Sequence, residues 1–410
     1  MSEKDPLGAF RRDARAWLDA NARPRDQGES VADSESVAVF RDETEAEEAR
    51  SVADACAWHG TKLASGWALL TWPKQLGGQE LSGAHERAFD EEERRFDIPY
   101  VPEALTITLK LVAPTMTVFG TADQQAHLLP QLLRADALCC QLFSEPDAGS
   151  DLASLACRAT RDGDGWRIDG QKIWTSGARQ CTFGLLIARS DAAARKRRGL
   201  TAFLLPMNTP GVEVRPIRQM TGGASFNEVF LEGAQVSDAL RLGAVGDGWK
   251  VTTTMLGFER SVSGAGAGGA GASWEQVKTL AARTSPRDPV ARQELAALFT
   301  RMTVLDYINQ RSRDALAVGQ DPGASGSIAK LFWTQNLSEI SRAASHLLGA
   351  KIIGDAGEPG TYSWTEHLLG APGYRIAGGS DEIQRNIIGE RVLGLPREPT
   401  TSPTDESRQR

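Results

Sequence analysis

Asp162–Ala188 reads DGDGWRIDGQKIWTSGARQCTFGLLIA, and this stretch decides the fold class. Its opening quartet, Asp162–Gly165 (DGDG), stands between two β-prone runs and predicts a hairpin turn. Trp166–Ile168 and Phe183–Ala188 are followed by Leu200–Leu205, Val212–Ile217 and Glu228–Leu231. All are short β-prone runs separated by Gly, Asp, Asn and Pro. Residues 137–242 therefore read as an antiparallel β domain in the middle of the chain.

The flanks differ in character. Residues 1–136 read as helical. Phe10, Ala14, Trp17 and Leu18 fall on one face of Phe10–Asn21. Glu43–Leu70 is rich in the helix formers Ala, Glu and Lys, and the breaker cluster Trp72–Gly78 (WPKQLGG) ends it. Ala122–Arg134 reads as helix, with Pro130 at a break or kink. Residues 243–395 return to a helical pattern, and 396–410 form a loose, polar, Pro-bearing tail. Helical, then β, then helical predicts an α+β multidomain protein. A doubly wound sheet would alternate strands with helices throughout.

The 410 residues are 41% hydrophobic and 24% charged, an ordinary globular composition. A net charge of -7 argues against nucleic acid as the main partner. No apolar run reaches the ~18 residues needed for a membrane span, and the first residues lack the apolar core of a signal peptide. Cys56, Cys139, Cys140, Cys157 and Cys181 form no CxxC pair, and no HxxxH or HExxH occurs. Free thiols in a reducing cytoplasm and no metal site are expected. The basic run Arg195–Arg198 (RKRR) reads as a solvated loop tip.

Ser261–Ser273 (SVSGAGAGGAGAS) contains two overlapping GxGxxG matches. A dinucleotide-binding loop needs a strand directly before it, and Trp249–Arg260 reads as helix. A helix with a smooth Gly/Ala face is favoured over a flexible linker. Close approach of neighbouring helices would offset the ~1 kcal/mol that each Gly costs in helix propensity.

Several segments in order carry a family resemblance. They are Thr71–Gly78 (TWPKQLGG), Phe119–Asp136 (FGTADQQAHLLPQLLRAD), Gln141–Leu152 (QLFSEPDAGSDL), Asp169–Ala178 (DGQKIWTSGA) and Ile376–Arg397 (IAGGSDEIQRNIIGERVLGLPR). Together they resemble the acyl-CoA dehydrogenases over nearly the whole chain. The resemblance implies an N-terminal helical domain, a middle β domain and a C-terminal four-helix domain, with FAD held between them. It implies oxidation of an acyl-CoA thioester at Cα–Cβ, with a base for the α-proton and flavin N5 as acceptor of the β-hydride. By the same resemblance Phe143 and Ser144 meet the pyrimidine edge of the flavin. Ser150 stands where flavin and pantetheine approach each other, Trp174 packs against the ring and Ser176 bonds N5. Ser380 and Glu382 fall near the FAD phosphates and ribose. Asp381 aligns there too, and its charge beside a pyrophosphate predicts a side chain turned away. Arg260 matches a substrate-facing arginine.

Two departures stand out. The Arg-x-x-Phe-Gly element that binds FAD of a neighbouring subunit in many members is missing from Ala281–Leu298, where Arg283, Arg287 and Arg292 are the available cations. The usual catalytic Glu of the C-terminal signature is replaced by Gly378. A minority of the family, including isovaleryl-CoA and long-chain dehydrogenases, carries its base on a helix directly before the substrate-facing arginine. Here that position is Glu259. Burial against flavin and acyl chain is expected to raise such a carboxyl toward neutrality. Gly378 still offers a main-chain N–H for the thioester carbonyl. The space left by two glycines, Gly378 and Gly379, suits a branched or bulky acyl group such as a steroid side chain.

The leading expectation is thus an acyl-CoA dehydrogenase passing electrons to an electron-transfer flavoprotein. The expected assembly is a homo-oligomer (dimer or tetramer) or a heterotetramer with a related subunit. The alternatives are an oxidase-type flavoenzyme and a non-catalytic partner subunit.

Overall fold

The computed structural model describes residues 7–25, 36–194, 196–264, 270–284, 288–317, 320, 323–354 and 361–397. The N-terminal region holds α1 (Gly8–Asn21), β1 (Arg23–Pro24), α2 (Glu45–Ala64), α3 (Gly83–Glu93) and β2 (Phe96–Asp97). Residues 103–119 then run as one helical rod. Its parts are α4 (Glu103–Thr106), a π-helical segment Ile107–Val112 and α5 (Ala113–Phe119). The helix expected over Ala122–Arg134 is two pieces, α6 (Ala122–His127) and α7 (Leu129–Leu133), broken just before Pro130, which cannot supply the N–H a continuous helix needs. A Thr121/Gln124 capping box starts α6. The helix within Glu43–Leu70 is shorter than its composition suggests: it begins at a Thr44/Glu47 capping box and ends at Ala64, before Gly66 at φ 78°.

The middle region contains β3 (Cys139–Leu142), β4 (Arg158–Asp162), β5 (Gly165–Ser176), β6 (Phe183–Arg189), β7 (Leu200–Pro206), β8 (Val212–Ile217), β9 (Phe226–Ser237) and β10 (Arg241–Leu242). These strands form one sheet in the order β10-β7-β6-β4-β5-β9-β8. Asp162 pairs with Gly165 across the expected hairpin. The sheet is antiparallel except at β6, which pairs in parallel with β3 from Cys139↔Phe183 to Leu142↔Leu186 and touches β4 in parallel at Arg158↔Arg189. The physical reason is that β3 enters from the helical region and runs beside β6 without a hairpin.

Both faces of the sheet centre are covered. Leu185, Ile187, Ala202 and Leu204 pack with Met116, Leu129, Leu133, Val251 and Met255 on one side. Leu186, Phe203, Leu205 and Ile168 pack with Leu105, Leu142 and Val229 on the other. Residues alternate faces along a strand, so the continuous run LLIA in β6 supplies both cores.

The C-terminal region contains α8 (Gly248–Gly264), α9 (Trp274–Thr284), α10 (Pro289–Ala317), α11 (Gly326–Leu348), α12 (Thr361–Tyr374) and α13 (Asp381–Ile387). In the Gly/Ala stretch the helix reaches Gly264; residues 265–269 lie outside the described residues. Lys196, Arg197 and Arg198 are exposed, as a solvated loop tip would be. Lys196 pairs with Asp151 at 2.8 Å and the Arg197 guanidinium sits 4.9 Å from the Trp249 ring centre; Arg195 lies outside the described residues. Among the described residues no helix is long and apolar enough to cross a membrane.

Candidate active site between the sheet and the C-terminal helices

The first wall is built by β3, β5 and the loop that follows β3. Lys172 is fully buried, and its Nζ donates to the Phe143 carbonyl at 3.0 Å and to Glu145 Oε1 at 2.8 Å. Glu145 also accepts from the Ala156 and Cys157 backbone N–H groups, at 2.5 and 2.9 Å. A buried charge pair is tolerated when its remaining hydrogen-bonding capacity is filled in this way. The pair fixes the start of the 143–150 loop, and the Ile173 N–H donates to the Ser144 carbonyl at 2.9 Å. Phe143 is buried beneath this loop, whereas Ser150 is exposed beside Asp151.

The β5/β9 register breaks between Lys172 and Thr175, and Trp174 lies within the break at φ 62°. A left-handed tryptophan costs on the order of 1–3 kcal/mol. Trp174 is nevertheless 58% exposed, its ring edge-on to Phe226 at 6.2 Å. Two residues on, Ser176 hydrogen-bonds the Glu103 carboxyl. Glu103 is an exposed residue. Desolvation raises its carboxyl above the usual carboxylate range, with the Ser176 bond opposing. Glu103 starts the helical rod immediately before its π-helical segment, a feature found often at functional sites.

Aromatic contacts link this wall to the helices. Phe226 meets Phe40 at 5.3 Å, Phe40 stacks on Tyr374 at 5.0 Å, and Tyr374 meets Trp333 at 4.7 Å. Gly370 and Gly373 admit Phe40: a Cβ at Gly373 would lie 2.7 Å from the Phe40 ring.

Beyond Tyr374 lies the second wall. Gly378 and Gly379 adopt φ 63° and 87°, a left-handed turn that suits glycine. A Cβ placed on Gly378 would lie 2.6 Å from Glu259 Oε1. The Glu259 carboxylate, carried by α8, therefore fills the space that a side chain at 378 would claim. Gln384 donates from Nε2 to the carbonyls of Gly378 and Gly379 at 3.0 and 3.1 Å. Lys330, 4% exposed, donates to the carbonyls of Tyr374 and Gly379 at 3.0 and 2.7 Å. Burial lowers the Lys330 ammonium to about 8, against the pull of Asp381, Glu259 and Glu382.

Asp381 turns inward, 1% exposed, where it accepts from Arg375 Nε at 2.8 Å and Thr334 Oγ1 at 3.0 Å. The Ser380 hydroxyl accepts from the Ile383 N–H at 3.4 Å and so caps α13. The Glu382 side chain is exposed, and its carboxyl is lowered by its own backbone N–H and by Ser380. The Arg260 side chain and Arg287 lie outside the described residues; Arg283 and Arg292 are exposed.

The structure thus brings Phe143, Ser144, Trp174 and Ser176 onto one wall and Glu259 and Gly378 into direct juxtaposition on the other. Lys330, Glu103 and Phe40 were not anticipated from the sequence. Lys172 stood inside a quoted motif, but nothing in that motif assigned it to Glu145.

Family models cover the chain in three parts. The acyl-CoA dehydrogenase N-terminal domain matches residues 9–136, the middle domain 140–234 and the C-terminal domain 246–393. Acyl-CoA dehydrogenase IpdE1 of Mycobacterium tuberculosis (strain ATCC 25618 / H37Rv) is 39% identical over 398 residues, 95% of this chain and 98% of that protein. Among solved structures, the Tcur3481-Tcur3483 steroid ACAD is 26% identical with a TM-score of 0.75, covering 97% of this chain and 100% of that one. The ChsE4-ChsE5 complex from Mycobacterium tuberculosis is 26% identical with a TM-score of 0.72 at the same coverage. With all three domains matched in order, and a relative this similar along almost its full length, the chain belongs to the acyl-CoA dehydrogenase family and is an oxidoreductase acting on acyl-CoA.

Proposed function

We propose that this enzyme carries out FAD-dependent α,β-dehydrogenation of an acyl-CoA to the trans-2-enoyl-CoA, with Glu259 as the α-proton base. The observation that carries this reading is the 2.6 Å between Glu259 Oε1 and the position of a Cβ on Gly378. The carboxylate reaches from α8 into the space beside the turn where the family's usual base would begin. The family is FAD-dependent, and the first wall fits that group: an exposed Trp174 face in a strained backbone, next to the Ser176 hydroxyl and the Phe143–Ser144 loop. Bound FAD would supply the acceptor for the β-hydride.

The chain's own residues do the rest. Glu259 takes the α-proton as the C–H electron pair moves toward the thioester carbonyl, and the Gly378 N–H donates to that oxygen as charge builds. Trp174 would pack against the ring and keep water from it, and Phe143 would stand at the pyrimidine edge. Ser144, Ser176, Ser380 and Glu382 are assigned to FAD, Ser150 to the meeting of flavin and pantetheine, and Arg260 to substrate. The steroid description of one structural relative supports a branched or bulky acyl group, while the room beside Gly378 and Gly379 is taken by Glu259 and Gln384.

Anaerobic titration with a panel of acyl-CoAs tests this reading through bleaching of flavin absorbance. Wild type bleaches with one class and Glu259→Gln, with FAD retained, does not. A Glu259→Gln variant that bleaches as fast as wild type overturns the assignment of the base. Preference for straight-chain acyl-CoAs overturns the bulky-substrate assignment. Slow reoxidation by O₂ and rapid reoxidation by an electron-transfer flavoprotein are expected of a dehydrogenase and not of an oxidase.

Assembly with a second chain of the same fold is also proposed. Phe299, Val304, Tyr307 and Leu316 expose apolar side chains along α10, and two structural relatives are named as two-component enzymes. Light scattering of the chain alone and co-expressed with a related subunit decides between homo- and heteromer.

A further inference from the structure

Lys330 is a buried cation with no place in the reaction as outlined above. It stands near the start of α11 and reaches across to the chain that leaves α12. Its two carbonyl acceptors, Tyr374 and Gly379, bracket the turn that contains Gly378. Gln384 holds the same turn from α13. Three carboxylates act on the ammonium: Glu259 from α8, and Asp381 and Glu382 from α13. They are not equivalent. Asp381 already has Arg375 and Thr334 as partners, and Glu382 extends into solvent with Arg385 at 3.6 Å. Glu259 is the carboxylate that meets the Gly378 turn itself.

Resting on the base assignment made above, we propose that Lys330 is a positioning residue for proton abstraction: it holds the Gly378 turn in register with Glu259 and places a positive charge beneath the site where negative charge develops. The physical reason is that two functions meet in one ammonium group. Its hydrogen bonds are spent on backbone carbonyls, which orients the turn. Its charge is not spent by those neutral acceptors and still acts on Glu259 and on an enolate formed beside it. In a buried setting such a charge is poorly screened. Removing it disfavours negative charge in the site, whether on the carboxylate or on the thioester oxygen.

The test reads α-proton removal without hydride transfer. The probe is (cyclohexylthio)acetyl-CoA, which carries a bulky ring as the proposed substrate does; its α-hydrogen is acidic and its β-position is a sulfur with no hydride to give. Its enolate beside oxidised flavin produces a long-wavelength charge-transfer band. The band is titrated against pH for wild type, Lys330→Met, Lys330→Gln and Lys330→Arg, with flavin absorbance per subunit as the check on folding. In the two neutral variants the midpoint is expected to move up by about one pH unit, as loss of a nearby opposite charge predicts. Lys330→Arg, which keeps the charge, is expected to return most of that change. A neutral variant that retains FAD and titrates at the wild-type midpoint overturns the proposal, even if the band is weaker, because a purely structural clamp would reduce amplitude alone. If wild type shows no band and Glu259→Gln behaves identically, the base assignment fails and this proposal fails with it. A band that Glu259→Gln removes but Lys330→Met leaves unmoved overturns the role of Lys330 alone.

Discussion

On the sheet side of the cleft, the 143–145 loop is pinned by Lys172, 27 residues away from Glu145 in the same domain. On the helical side, the Gly378–Gly379 turn is pinned by Lys330, 49 residues from Gly379, by Gln384 and by the α8 carboxylate of Glu259. The sheet wall is a local device: one fully satisfied buried ion pair inside a hydrogen-bonded sheet. The helical wall is a convergence of three helices, each supplying one side chain to the same turn. Such a difference separates how the two walls fail. Damage to the sheet wall is expected to show first as lost folding and lost FAD. Damage to the helical wall is expected to show as lost proton transfer in a protein that still folds.

The largest effect comes from the helical wall. Glu259→Gln is expected to retain FAD and lose roughly 10²–10⁴-fold in turnover, the usual loss for a general base; stopped-flow flavin reduction measures it. If FAD is lost as well, the contrast between the walls breaks.

Lys172→Met attacks the other wall. It leaves the Glu145 charge buried without its cation, a loss of about 3–5 kcal/mol. Chemical denaturation should report that loss together with reduced flavin content. The Lys172→Met/Glu145→Gln double variant should be less destabilised than the two single changes added together. Strict additivity would mean the pair is not coupled.

The pH response sharpens the comparison. His367 on α12 is fully buried, bonded through Nδ1 to the Ser341 hydroxyl at 2.9 Å, and burial lowers it from 6.5 to about 4. A ring neutral when folded contributes stability that is complete above pH 6.5, because the unfolded chain takes up the proton first as pH falls. The contribution declines below that point and is gone below about 4, a total of about 3 kcal/mol. Unfolding free energies of wild type and His367→Gln measured from neutral pH down to about 4 should therefore converge. Curves that remain parallel would remove His367 from the pH response of the helical wall.

Gly378→Ala is the mildest change. It adds a Cβ at φ 63° and 2.6 Å from Glu259 Oε1. The strain is on the order of 1–3 kcal/mol. A modest fall in thermal stability should accompany a fall in turnover, since Glu259 must give way. Unchanged turnover would show that Glu259 works from another rotamer.

The two walls also differed in how well they could be read in advance. In the sheet the DGDG hairpin was plain because glycine and aspartate between β-prone runs specify a turn locally. The break before Pro130 and the helical reading of Trp249–Arg260 were equally local. The parallel pairing of Cys139–Leu142 with Phe183–Arg189 was not legible, because it joins segments through space with no turn to announce it. The roles of Phe40 and Glu103 were hidden for the same reason. Each lies far along the chain from Tyr374 and Ser176, the residues it meets.

Sequence by itself determined the order of domains, the family and the suspicion that Glu259 stands in for a base absent at Gly378. Those rest on local periodicity, turn chemistry and ordered motifs, all of which act over short distances along the chain. Only the tertiary structure decided that the Glu259 carboxylate occupies the space beside Gly378, and that Lys330 and Gln384 hold the turn against it. Those relations depend on how α8, α11 and α13 pack around one left-handed turn. A contact between residues more than a hundred positions apart is set by that packing, not by the spacing of either residue in the sequence.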